Sequence, residues 1–295
     1  MNRILSLRTR TKAEVFLVVV TAIWGCTFVV VKGALADASP LPFLAARFML
    51  AGFLLLAILA RGQVERETIL PGSILGLFLF AGYLFQTWGL VYTTPSKSAF
   101  LTGFSVILVP LILMLSGFRM GSATLVGGIL GLVGIYFLVA PSGMAAVNRG
   151  DVLTLAGALS FAVHIVLVGR YTKKFSFLHL VPVQILVVGL LALVALPLVP
   201  DQTLHFTARL VMAILVTALL ATGVAFSVQN WAQQYTPAAH TALIFALEPV
   251  FAALSSWLMM GERFGGRVLL GSGLILAGMV VSEIWGGRLP SPVEG

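Results

Sequence analysis

Charge is what this sequence has least of. Of its 295 residues only 9% are charged, while 59% are hydrophobic. The surface of a soluble globule needs far more, since charged residues make up about 25% of an ordinary domain. The soluble class is therefore excluded, and the chain reads as an all-α integral membrane protein. Acidic residues are scarcer still, ten against eighteen basic, for a formal charge of +8. In a soluble protein that excess suggests nucleic acid; in a membrane chain the positive-inside bias accounts for it, and no nucleic-acid partner is expected. One cysteine, Cys26, excludes an intramolecular disulfide. Neither HExxH nor GxSxG occurs, and no ATP-binding loop is present, so no cofactor is expected and any active transport must draw on a gradient. Asp37, Asp151 and Asp201 fall in predicted loops and no two carboxylates share an apolar run, which counts against an intramembrane enzyme. A channel fares no better, lacking a ring of charge or a carbonyl filter motif.

What the chain does have is apolar runs. A hydrocarbon core about 30 Å thick needs about 20 residues of helix to cross it. Ten such runs follow one another: Ala13 to Ala34, Pro40 to Ala60, Leu70 to Val91, Ser96 to Ser116, Ser122 to Ala140, Val152 to Gly169, Leu178 to Val199, Phe206 to Val228, Ala238 to Met260 and Val268 to Trp285. Ala34-Leu35-Ala36 has the look of a signal-peptidase site, but the run before it is longer than a usual signal core and has a counterpart in the second half, so it reads as a helix end. With the N-terminus inside, the cytoplasmic segments hold Arg3, Arg8, Arg10, Lys12, Arg61, Arg66, Arg119, Arg170, Lys173, Lys174 and Arg288. The outer ends hold only Lys97, Arg149, Arg209, Arg263 and Arg267. Both termini are expected in the cytoplasm of a plasma-membrane protein.

The chain is also written twice. QTWGLVYTTPSKSAFLTG, from Gln86 to Gly103, returns in degraded form as QNWAQQYTPAAHTALIFA, from Gln229 to Ala246, at an offset of 143. Gly127 and Gly134 recur as Gly271 and Gly278 at 144, and an offset of 137 pairs Trp24 with Phe161 and Arg47 with Gln184. Each unit holds five helices, and an odd number makes the second copy enter the membrane from the opposite side. The expected organisation is a basic N-terminus (1–12), a first five-helix repeat (13–140), a connecting loop (141–151), a second, inverted repeat (152–285) and a C-terminal tail (286–295). Inverted repeats are a recurring plan of secondary transporters. The small-xxx-small spacings Gly72/Gly76, Gly117/Gly121 and Gly127/Gly131 indicate close helix packing within a monomer or a homodimer.

An ionisable group inside a bilayer costs about 2.5–3.5 kcal/mol on insertion scales and is a functional candidate by default. Glu248 is the deepest, eleven residues beyond Pro237 and so about 16 Å down its helix. It is either a proton or cation site or a carboxyl bonded across helices. Arg47, about 10 Å below Pro40, either holds freed backbone around the first or third helix or binds substrate, and Lys32 reads as a snorkelling side chain. Lys97 and His240 are repeat mates at opposite faces, beside the Thr-Pro segments of Pro95 and Pro237 that read as gate hinges. His164, mid-helix and on the face of Phe161, is either a titratable cavity residue or a satisfied core histidine. Gln86 and Trp88 stand about 200° apart on a helix and cannot both face a cavity. Because a glutamine facing lipid is rare, Gln86 and Gln229 are expected inward, with Trp24, Trp88, Tyr92, Asn230 and Trp231 as further substrate-binding candidates.

AIWG in the first helix, the arginine of LAARFMLAG, the QTWGLVYTTPSKSAFLTG stretch, and ALEPVFAALSSWLMMGER before a Gly-rich last helix resemble the drug/metabolite transporter superfamily, specifically its EamA-type permeases. The resemblance runs from about Glu14 to Glu283. It implies a central cavity built from helices 1, 3, 4, 6, 8 and 9, with 5 and 10 as support, alternating access, and export of amino acids or related small metabolites. In one respect the chain departs from the pattern: Glu248-Pro249 falls opposite Ser105-Val106, with Pro110 one turn later, so the kink of the fourth helix is expected to lie deeper than that of the ninth.

Overall fold

The computed structural model describes residues 2–117, 122–139 and 147–284. The C-terminal tail, Trp285, Arg119, Gly121 and most of the 141–151 connection lie outside them. The described residues form ten helical rods: α1 (Asn2–Ala34), α2 (Pro40–Ile58), α3 (Arg66–Tyr92), α4 (Pro95–Gly103 and Ser105–Leu115), α5 (Ser122–Val139), α6 (Arg149–Tyr171), α7 (Phe177–Ala195), α8 (Ala208–Ala232), α9 (Ala238–Phe245 and Glu248–Met260) and α10 (Gly266–Ile284). Eight are long and apolar enough to cross a membrane; α5 and α10 carry the shorter apolar stretches Val126–Phe137 and Gly266–Val281. The basic residues before Ala13 are not a separate segment. They continue α1, where Arg10 Nε bonds Glu14 Oε1 at 2.8 Å, one turn on.

Local chemistry sets the helix ends. Pro40 and Pro95 open α2 and α4, where a missing backbone N–H costs nothing. Asn148 and Asp151 form a reciprocal capping box on α6, so Asp151 belongs to a first helical turn and not to a loop. Thr207 caps α8 by accepting from the Leu210 amide at 3.1 Å. Gly261, at φ 65°, ends α9 in the left-handed conformation that glycine adopts without penalty. Gly117, at φ 92°, likewise closes a helix instead of packing one against another.

Contacts between helix ends sort the bundle into two faces. On the first, here the Asp37 face, Lys32 at the end of α1 meets Leu90, Val91 and Thr93 at the end of α3, Lys97 meets Asp151, and Ser96 meets Glu262. The connection before α8 crosses over that between α1 and α2, pairing Ala38 with Leu204 and Ser39 N with Thr203 O at 2.9 Å. On the opposite, Glu65 face, Glu65 meets His179, Arg170 meets Ser116 and His240 meets Glu14.

Between the faces, α2 packs on α7, α3 on α6, α1 on α8 and α9, and α5 on α10. The α5–α10 contact is a glycine cross. A Cβ at Gly134 would lie 2.7 Å from the Gly271 carbonyl oxygen, and one at Gly278 would lie 2.5 Å from that of Gly127. Two rods are broken at matched positions. In α4 the Phe104 amide bonds Leu101 O at 3.2 Å, and in α9 the Leu247 amide bonds Ile244 O at 3.2 Å; both are i→i−3 bonds that tighten the turn. The deeper kink expected for the fourth helix is thus corrected: Phe104 and Leu247 are 143 apart, and the breaks lie at the same level of the repeat. They also touch, since a Cβ at Gly103 would come within 2.9 Å of Pro249 Cγ.

Candidate functional site

The broken helices border a central cavity of about 740 Å³, its open mouth included. It is lined from α1, α2, α3, α4, α6, α8 and α9, whereas α5, α7 and α10 contribute no lining residue. Fourteen of the nineteen lining residues fall into seven pairs at the two offsets already seen. Trp24 and Phe161, Thr27 and His164, and Phe28 and Ile165 are 137 apart. Tyr83 and Phe226, Gln86 and Gln229, Thr102 and Phe245, and Ser105 and Glu248 are 143 apart. The other five, Val31, Arg47, Leu79, Thr87 and Leu90, all come from the first half, and Val31 and Leu90 carry the cavity toward the Asp37 face. Their counterparts Val168, Gln184, Thr222, Asn230 and Gln233 do not reach it and are at most 1% exposed.

Those buried counterparts are knitted by amides whose orientation can be read from their ends. Asn230 Nδ2 donates to Phe226 O at 2.9 Å, so Asn230 Oδ1 accepts from Gln184 Nε2 at 3.1 Å. Gln184 Oε1 is then the acceptor facing His164 Nε2 at 2.8 Å, which fixes the imidazole as the tautomer protonated on Nε2. His164 therefore lines the cavity and is satisfied by the core at once. In the same way Gln233 Nε2 must donate to Ile165 O at 3.0 Å, so Gln233 Oε1 accepts from Gln229 Nε2 at 3.1 Å. Gln229 Oε1 is left buried with no partner among the described residues.

Arg47 is 2% exposed and lines the cavity. It does not hold backbone of the first or third helix. Its Nε donates to the Thr222 hydroxyl at 2.8 Å, and its Nη2 stands 3.5 Å from both Tyr83 Oη and Ala221 O, with the guanidinium carbon 4.7 Å from the Tyr83 ring centre. Thr222 and Ala221 belong to a stretch of α8, Thr217–Val224, wound as π-helix, whose widened hydrogen-bond register leaves local carbonyls open to outside donors. Trp24 Nε1 donates to the same Ala221 carbonyl at 2.8 Å. Glu248 lines the cavity from the start of the second segment of α9, and its carboxylate has no hydrogen-bond or ion-pair partner among the described residues.

Of the sequence candidates, then, the cavity gathers Trp24, Arg47, Gln86, His164, Gln229 and Glu248. Gln86 Nε2 donates to Thr102 Oγ1 at 3.1 Å across the α3–α4 corner. Trp88, Tyr92, Asn230 and Trp231 are elsewhere. Trp88 packs on the α1–α2 side of the core, Tyr92 is half exposed, Asn230 is in the amide chain, and Trp231 stacks edge-on against Phe16 and Tyr235. Pro95, Lys97, Pro237 and His240 lie at the ends of α4 and α9, off the cavity. Lys97 Nζ pairs with Asp151 at 2.9 Å, and Asp151 is wholly buried. His240 Nε2 meets Glu14 at 3.2 Å. Lys32, too, is engaged, donating to the Leu90 and Thr93 carbonyls at 2.7 and 3.0 Å and so capping the end of α3. Sequence reasoning missed Tyr83, Thr102, Ser105, Phe226 and Phe245 as lining residues. The signal was present in the repeat: each is the counterpart, or one turn from the counterpart, of a residue already singled out.

This arrangement has relatives. A chain from Archaeoglobus fulgidus described as an uncharacterized transporter is 34% identical over 278 residues, covering 93% of this chain and 87% of its own. A probable amino-acid metabolite efflux pump of Escherichia coli is 24% identical over 287 residues, covering 92% of this chain and 94% of its own. A solved crystal structure, 19% identical, superposes with a TM-score of 0.72 over 94% of this chain and 99% of that one, and so shares the fold. The EamA-like transporter family matches twice in succession, over residues 11–140 and 148–283. Two consecutive family matches that together take in nearly the whole chain, and relatives that are themselves transporters, establish that this multi-pass membrane protein belongs to the EamA-like transporter family of the drug/metabolite transporter superfamily.

Proposed function

We propose that the protein is a secondary-active exporter of amino acids or related small metabolites, working by alternating access in the plasma membrane with both termini in the cytoplasm. The observation that carries this reading is the asymmetry of an otherwise paired cavity. Seven pairs of counterparts line it, while five further residues of one half border it, four of them at most 2% exposed, and their five counterparts do not. Two inverted five-helix units would produce such a picture if each can adopt either packing, and exchanging the two packings would move the cavity from the Asp37 face to the Glu65 face. On this reading Asn230, Gln184 and Gln233 line the cavity in the opposite state, when Arg47 and Leu90 are packed away. A probable amino-acid metabolite efflux pump among the relatives supports the substrate class and the direction. Lys97 with Asp151 and His240 with Glu14, both formed in this state, tie the ends of α4 and α9 at opposite faces and would have to part for the helices begun by Pro95 and Pro237 to swing.

Glu248, a lone carboxyl on the cavity wall at a helix break, is the coupling group, taking up and releasing a proton as the cavity changes sides. The test is transport by purified protein in liposomes under an imposed pH gradient. The parent should accumulate amino acid against its concentration gradient, and Glu248→Gln should lose the response to the pH gradient even at substrate concentrations high enough to saturate its exchange. A variant that still concentrates substrate as the parent does would make Glu248 structural.

A further inference from the structure

The cavity wall carries a guanidinium and a carboxyl group that no oppositely charged side chain pairs among the described residues, and we infer that its ligand is a zwitterion with an uncharged side chain, held by its carboxylate at Arg47 and by its ammonium between Glu248 and Gln229 Oε1. The inference rests on the reading of this cavity as the transport site, and it specifies what enters.

Arg47 supplies the anion pole. A guanidinium carries five N–H donors, and here Nε alone makes a short bond while Nη2 has only 3.5 Å contacts. No carboxylate pairs with it among the described residues, although it is 2% exposed inside a membrane bundle. Its planar fork fits a carboxylate better than any single-point acceptor. Glu248 and Gln229 supply the cation pole. The first is a carboxyl group without a partner among the described residues, and the second is a buried amide whose orientation, fixed by the Gln233–Ile165 chain behind it, leaves its carbonyl oxygen unpartnered. Both are acceptors, as an ammonium with three N–H donors requires.

One turn of α1 joins the two poles. Trp24 bonds the Ala221 carbonyl beside Arg47, and at Gly25 a Cβ would fall 2.7 Å from the Glu248 carbonyl oxygen. The rest of the wall is largely aromatic: Tyr83 stacks against Phe161 at 5.2 Å, and Trp24 against Phe226 at 5.4 Å and Phe245 at 5.1 Å. That wall suits an apolar side chain. It offers a third charge nothing, because the remaining titratable groups, Tyr83 and His164, lie against Arg47 and Gln184 respectively.

The test uses three molecules with one side chain: leucine, 3-methylbutylamine, which lacks the carboxylate, and 4-methylpentanoate, which lacks the ammonium. Thermal stabilisation and liposome counterflow of the full-length protein should give leucine an affinity at least about tenfold above both analogues, since each forfeits a charge-assisted bond. Lysine and aspartate should not compete. In Glu248→Gln, leucine should weaken by a similar factor while 4-methylpentanoate holds or improves, because the carboxylate that repels it has gone. In Arg47→Met the amine should hold while leucine weakens; should that variant fail to fold, the analogue series on the unaltered protein still decides. An analogue that binds as tightly as leucine, or a cavity that ignores leucine and phenylalanine alike, overturns the inference. If those amino acids fail while a nucleoside, sugar or drug exchanges, the zwitterion falls and the transporter reading stands. If no solute exchanges, the reading beneath it falls as well.

Discussion

Asp37 shows how a single side chain can hold one face of the bundle. Arg209 Nε and Nη2 bond its two oxygens at 2.7 and 2.9 Å, and Thr207 Oγ1 donates to it at 2.7 Å. These bonds, Arg209's before that of Thr207, bring its pKa from the ordinary 3.8 down to about 2. A carboxyl whose folded pKa lies below its unfolded one adds stability that is fully present above the unfolded value and disappears as pH falls through the folded one. Asp37→Asn should therefore lower Tm by a constant amount between about pH 8 and about pH 5, and the gap between variant and parent should close only below about pH 4. A gap that changes between neutral and mildly acid pH would mean that another group governs this clasp. At this scale the sequence told inward from outward where helical phase could decide, as with Gln86 against Trp88. It did not tell what Arg47 holds, because the acceptor arises from a π-wound stretch of α8, and no residue pattern in TALLATGV announces that winding.

Elements divide into those that line the cavity and those that brace them. Among the described residues α5 and α10 give nothing to the cavity wall, and the glycines that recur between them meet crosswise, Gly134 on the Gly271 carbonyl and Gly278 on that of Gly127. Adding a side chain there forces the pair apart. Gly278→Leu should cost about 1–3 kcal/mol as an overpacked contact while leaving ligand selectivity unchanged, measured as Tm against relative affinity across a set of amino acids. A shift in selectivity would show that the brace is coupled to the site. The helix boundaries were legible because capping residues, prolines and Gly261 announce them. The break in α4 was not. Pro110 points to a kink beyond Ser105, but the contact between Gly103 and Pro249 sets the break at Phe104, and such a contact exists only once α4 and α9 have met.

At the scale of the molecule, two ion pairs at the helix ends obey the offsets that relate the halves. Lys97 and His240 are 143 apart, and Asp151 and Glu14 are 137 apart, so the pair on the Asp37 face and the pair on the Glu65 face are versions of one contact. They are unequal. Asp151 is fully buried and paired with a lysine, whereas Glu14 and His240 are partly exposed and Glu14 is shared with Arg10. A buried carboxylate deprived of its cation is strongly penalised, so the Lys97–Asp151 pair is the costlier of the two to break. Val31, which lines the cavity, and its packed counterpart Val168 report on the two states. In a Cys26→Ser background, Asp151→Asn should raise thiol labelling of Val31→Cys and lower that of Val168→Cys, while Glu14→Gln should do the reverse. Substrate should shift the two sites in opposite directions in the same assay. If either change exposes both cysteines together, the faces open independently and the protein is a pore; if neither has any effect, the ion pairs are not gates.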